Sequence, residues 1–162
     1  MNSDSTPSSS PRTLDRDGIA ALIPHSGTMC LLARLDAWDE TRLVCAAVNH
    51  RDSAHPLRTK SGLLASASIE YAAQAMALHG ALIGQQAGTA ATPGYLASAR
   101  GVHLQVLRFD DLPMATPDEL RIEAVRQAGD SRQILYAFTL HHAGRMIAEG
   151  RAAVVLNTPL AA

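Results

Sequence analysis

The sequence predicts an α+β fold in which one curved antiparallel sheet wraps around a single long, central apolar helix. Three observations predict it. One uninterrupted apolar stretch, residues 62–84, is long enough for about six helical turns. Short β-branched or alternating runs flank it on both sides. The turns between those runs are too short for parallel crossovers, which leaves an antiparallel sheet with one helix to bury.

Taken in order, residues 1–13 are rich in Ser, Pro and Asn and read as a disordered tail before a single domain over 14–158. Residues 15–23 read as a short helix with Asp15 or Asp17 at its N-cap, ended by Pro24. The segment Pro24-His25-Ser26-Gly27 is a loop. Residues 29–37 and 41–49 read as a hairpin turning at Asp39-Glu40, and 50–61 as a polar loop. The 62–84 helix carries apolar side chains on most faces, so it is expected to be buried nearly all round. Glu70, Gln74 and His79 in its middle argue against a membrane span. After a Gly/Ala/Thr/Pro linker at 85–93, four strands are expected near 94–107, 119–127, 132–142 and 145–157. Gly129-Asp130 and Ala143-Gly144 supply turns.

The bulk numbers exclude some functions. With 162 residues, 47% hydrophobic, a full core can be buried. The net charge of −1 gives no basic field for nucleic acid, and no basic amphipathic stretch suits a membrane surface. Cys30 and Cys45 sit in apolar runs and read as buried free thiols. With no apolar leader at the N-terminus, a cytoplasmic location is expected.

A carboxylate in an apolar helix is the main chemical signal. Ser66, Glu70 and Gln74 are four apart and form a polar stripe. A buried Glu must find hydrogen bonds or stay protonated, and a protonated one can donate. The loop before the helix offers His50 and His55, whose imidazoles suit proton abstraction near neutral pH. Gly62, expected at the helix start, would let a carbonyl approach unpaired backbone N–H groups. Base, acid and N–H cradle together suit removal of water from a 3-hydroxyacyl thioester. Structural roles for each of the three remain the alternative. His141-His142 point to opposite faces of a strand and make a poor shared metal site.

Four motifs in order resemble the 3-hydroxyacyl-acyl-carrier-protein dehydratases of bacterial fatty-acid synthesis, a hotdog-fold family. Ile23-Pro24-His25 followed by Met29-Cys30-Leu31-Leu32 is similar to the opening Leu-Pro-His and apolar strand. His55-Pro56 resembles the His-Phe-Pro loop without its Phe. Ile69-Glu70-Tyr71-Ala72-Ala73-Gln74 resembles the helix motif, and Ile147-Ala148-Glu149 after Gly144 the last strand. The family's Pro-Gly before the helix is reduced to Ser61-Gly62. Gly94 to Ser98 and Ile69 to Ala77 look more narrowly like the dehydratases of aryl-polyene or xanthomonadin-type pigment clusters.

The resemblance implies a hotdog dehydratase with His55 and Glu70 catalytic, Gly62 at the thioester carbonyl, and Gln74 and His50 in support. His50 is the second candidate for the base, and His25 falls in a motif usually structural. No cofactor or metal is implied. The substrate would be an acyl group on acyl carrier protein or coenzyme A. The assembly would be a homodimer or a heterodimer with a related dehydratase, with the active site between subunits. A hotdog thioesterase, or a degenerate subunit that binds carrier protein or supports an active partner, are the other readings. Small residues such as Ala65 and Ala72 could leave a tunnel for a long rigid chain.

Overall fold

A computed structural model of the chain describes residues 13–89 and 94–156. The expected tail, apart from Thr13, and part of the linker lie outside the described residues. The elements are β1 (Leu14–Asp15), α1 (Arg16–Ala20), β2 (Arg34–Trp38), β3 (Arg42–Ala47), α2 (Ser68–Gln86), β4 (Gly94–Leu104), β5 (Leu120–Gly129), β6 (Gln133–His142) and β7 (Arg145–Leu156). The strands form one seven-stranded sheet in the order β1-β2-β3-β5-β6-β7-β4. Every pairing is antiparallel. Register shifts in four of the ladders mark bulges, which bend strands and curl a sheet. Helix α2 packs across β3, β5, β6 and β4. This is the hotdog arrangement, a sheet around one central helix.

Local chemistry sets the turns. Asp15 caps α1, its carboxylate accepting the Gly18 amide at 2.9 Å. Asp39 accepts the amides of Thr41 and Arg42, each at 2.8 Å, and so closes the β2–β3 turn. Ala143 and Gly144 both have positive φ, 50° and 78°, the geometry of a tight hairpin turn between β6 and β7.

Three sequence expectations are corrected. The long helix starts at Ser68, not Gly62, after a 3-10 turn at Ala65–Ala67. Gly62 has a left-handed φ of 97° and closes a turn in which its amide donates to the Thr59 carbonyl at 3.0 Å. Leu64 then pairs with Arg108, so this segment is committed to extended structure. The strand expected from residue 29 begins at Arg34. The Leu31 amide donates to the Gln74 side chain at 2.8 Å instead of to a neighbouring strand.

The helix is also not buried all round. Tyr71, Ala75, Leu78 and Leu82 form its core stripe, but Glu70, Ala73, Ala77, Gly80 and Gly84 remain partly open. Cys30 and Cys45 are buried and free, as expected. No helix among the described residues is long and apolar enough to cross a membrane.

Candidate active site

The open face of α2 is the floor of a groove of about 670 Å³. Ala73, Ala77 and Gly80 make the floor, Pro24 and His25 form one wall, and Tyr95 and Leu96 of β4 form the other. Small side chains on the helix are what leave this space. Ala65 and Ala72, expected to open a tunnel, are instead packed in the core at 1% and 0% exposure. Their small size suits close packing, while Ala73, Ala77 and Gly80 on the open face of α2 leave the groove.

Glu70 is the carboxylate of this groove. It sits in the first turn of α2, about a third exposed. Gln74, one turn on, fixes it from beneath. The Gln74 amide donates to Glu70 Oε1 at 3.0 Å and to the Met29 carbonyl at 2.7 Å, and its oxygen accepts the Leu31 amide. All three bonds would be lost or reversed in a flipped amide, so the orientation is determined. Ser66, the third member of the expected stripe, is exposed in the 3-10 turn and stands apart. His25 Nε2 reaches the same Oε1 at 3.1 Å. Its loop is held by the Arg16 guanidinium, which donates to the Gly27 carbonyl at 2.7 Å.

His55 is placed elsewhere. It is 4% exposed, and its Nε2 bonds the Tyr71 hydroxyl at 2.9 Å. Tyr71 in turn donates to Asn49 at 2.7 Å. Tyr71 follows Glu70 in sequence but points into the core, and among the described residues no contact joins His55 to the Glu70 carboxylate. Burial lowers the His55 pKa, against a smaller opposing pull from Asp52. Gly62 likewise lies six residues before the helix, with its amide already used.

His50 is fully buried just beyond the end of β3, in a second cluster. Its Nε2 lies 3.5 Å from Asp118, which also takes His142 Nε2 at 2.9 Å. These three side chains present ligand atoms within 4.8 Å of one another. Arg51, however, occupies both Asp118 oxygens at 2.6 and 2.9 Å. The guanidinium already neutralises that carboxylate and would repel a cation. The cluster is a knot joining loops; burial lowers the His50 pKa, and Arg51 foremost holds Asp118 well below the usual carboxylate range.

A third cluster pins the segment that leads into α2. The Leu63 amide donates to Asp110 at 2.9 Å, Phe109 donates to the Leu63 carbonyl at 2.8 Å, and Ala65 donates to the Leu107 carbonyl at 2.9 Å. Arg108 binds Asp110 through two nitrogens, at 3.1 and 2.6 Å. This pairing, more than the Leu63 amide, holds the Asp110 carboxyl far below its ordinary value. Sequence reasoning missed this clamp and the His25–Glu70 contact. The Pro24-His25 pair was visible in the opening motif, but nothing local joins it to a helix forty-five residues on.

Comparison with known proteins fits this fold. A family described as ApeP-like, ApeP dehydratase, matches residues 18–161. No curated protein matches the sequence. Among solved structures, the dehydratase heterocomplex ApeI:P from Xenorhabdus doucetiae superposes with a TM-score of 0.76 at 21% identity, covering 86% of this chain and 91% of the other. An HP0420 homologue from Helicobacter felis gives 0.59 at 14% identity, covering 90% and 92%. Mouse thioesterase superfamily member 2 gives 0.57 at 15% identity, covering 86% and 92%. At these identities the structures speak to the fold.

Proposed function

Because the chain belongs to the ApeP-like dehydratase family, we propose that it removes water from a 3-hydroxyacyl thioester on acyl carrier protein, giving the trans-2-enoyl thioester. The observation that carries this reading is Glu70. It is a hydrogen-bonded carboxyl at the mouth of an apolar groove, where an acyl chain can lie with its polar end at the acid.

In the reaction a base takes the proton at C2, its electron pair forms the new double bond, and the C3–O bond breaks. Glu70 protonates the departing hydroxyl. The groove's apolar lining and small helix residues suit a long acyl chain, including the conjugated chains of pigment synthesis.

The base comes from a second subunit in this reading, since within one chain His55 bonds Tyr71 while the Glu70 carboxyl meets Gln74 and His25. A related hotdog subunit is the proposed partner; the Xenorhabdus dehydratase is itself a heterocomplex. A second copy offering His55 is the alternative source. The reaction is placed in the cytoplasm, without cofactor or metal.

Mass spectrometry of the acyl-carrier species tests the proposal, with the chain alone and mixed with a related hotdog dehydratase. Wild type yields the enoyl species, and Glu70→Gln loses about 10²-fold or more. Release of free acid would assign a thioesterase. If His55→Ala abolishes water loss in the chain alone, the base comes from a second copy. If it leaves the mixed assembly active, the base is the partner's.

A further inference from the structure

The dehydratase reading leaves one close contact in the groove without a role. His25 Nε2 lies 3.1 Å from Glu70 Oε1 within the same chain. Gln74 donates to that same oxygen at 3.0 Å. Among the described residues Oε2 accepts no hydrogen bond. The two oxygens of one carboxyl group are therefore unequal: one is held from two sides and the other is left for a ligand.

The histidine's own surroundings fix its proton. His25 Nδ1 is buried and has no partner. A neutral ring protonated at Nδ1 would bury an unpaired N–H and turn a lone pair on Nε2 toward a carboxyl oxygen. A ring protonated at Nε2 donates to that oxygen and buries only a lone pair. The loop cannot easily swing away. Pro24 restricts its backbone, buried Ile23 anchors one side, and Arg16 holds the Gly27 carbonyl on the other.

We propose that His25 is a positioning residue for Glu70, resting on the dehydratase reading above. His25 and Gln74 keep Oε1 a double acceptor, so the acidic proton sits on Oε2, the oxygen that meets the substrate hydroxyl. In the step itself the Oε2–H bond breaks as the C3–O bond breaks. Water leaves with that proton, and the C2–H electron pair becomes the double bond. The base holds the C2 proton. Glu70 is left as a carboxylate stabilised by two N–H donors until a proton returns to Oε2.

The test uses the full chain, with the partner subunit present if the wild type requires it. His25→Ala lowers kcat by about 10²-fold with KM little changed, the size expected of a misplaced catalytic group. His25→Gln recovers most of that loss, because its amide N–H can reach Oε1 without titrating. An unchanged kcat in His25→Ala, or a Gln variant no better than Ala, overturns the proposal.

Nitrogen-15 NMR of the histidines gives an answer independent of turnover. The His25 ring shows Nε2 protonated near neutral pH, and Glu70→Gln perturbs that signal. A ring protonated at Nδ1, or one indifferent to Glu70→Gln, also overturns it. A wild type without dehydration but with the expected His25 signals sinks the reaction reading while leaving the contact standing.

Discussion

The backbone amide of Leu57 donates to Nδ1 of His55 at 3.0 Å. That bond requires a lone pair on Nδ1, so the ring proton is on Nε2 and goes to the Tyr71 hydroxyl at 2.9 Å. Protonating the ring would set a second N–H against the Leu57 amide. His55→Ala leaves that amide without its partner and is expected to cost about 1–3 kcal/mol in urea denaturation. A loss of activity larger than this instability explains would mark a direct role for the imidazole.

Three buried histidines predict an acid-sensitive fold. His50, His55 and His79 are each depressed from 6.5, chiefly by burial. In the neutral His79 ring Nε2 donates to the Asp39 carbonyl at 2.8 Å, which leaves Nδ1 to accept the Tyr136 hydroxyl at 2.8 Å. Above about pH 6.5 folded and unfolded chains are both neutral at these sites, and stability is full. As pH falls below that value the unfolded chain takes up protons the folded one refuses. Stability then declines until the folded pKa values are passed. Asp110 and Asp118 lie well below 3.8, so their contribution is lost only in a second, more acidic window. Urea midpoints between pH 8 and 5 check the first window, and His79→Gln should flatten the slope.

Asp118→Asn tests the second cluster. Asn offers one acceptor where Asp118 serves Arg51 and His142 together. Arg51 also donates to the carbonyls of Asp110 and Pro113 at 3.1 and 3.3 Å. The side chain is one-fifth exposed, so the expected cost is about 2 kcal/mol, below that of a fully buried pair. Thermal melts give the total, and faster amide exchange around residues 105–118 locates it.

Two glycine substitutions should move in opposite directions. Gly62→Ala places a methyl 2.6 Å from Arg108 Nε and from Asp110 Oδ1, at a φ of 97°. It should destabilise by about 1–3 kcal/mol. At Gly80 a Cβ meets nothing within 4 Å, and the residue sits in helix. Gly80→Ala should stabilise by up to about 1 kcal/mol. It also narrows the groove, so turnover of the longest acyl chains should fall relative to short ones in a competition assay.

Periodicity carried most of the architecture. Alternation in Leu120-Arg121-Ile122-Glu123-Ala124 placed β5, and the burial pattern follows it. The Gly129-Asp130 and Ala143-Gly144 turns fell where their backbone chemistry put them. Glu70 stood out because an acid in an apolar helix needs a reason. What stayed hidden was non-local. An apolar run reads the same whether it is helical from Gly62 or from Ser68; the Phe109 amide on the Leu63 carbonyl decides that. Which faces of α2 stay open depends on where β4 ends the sheet. Likewise, the side chain that touches Glu70 comes from a loop whose position is set by Gln74.

The pinning of Leu63 to the Asp110 segment has an energetic meaning for ligand binding. The segment that leads into α2 and Glu70 is anchored during folding by hydrogen bonds that no ligand has to form. Its ordering entropy is therefore charged to the folding equilibrium, not to association. Affinity for an acyl thioester then reflects the groove alone, and loosening the clamp would weaken binding without removing a single contact to the ligand.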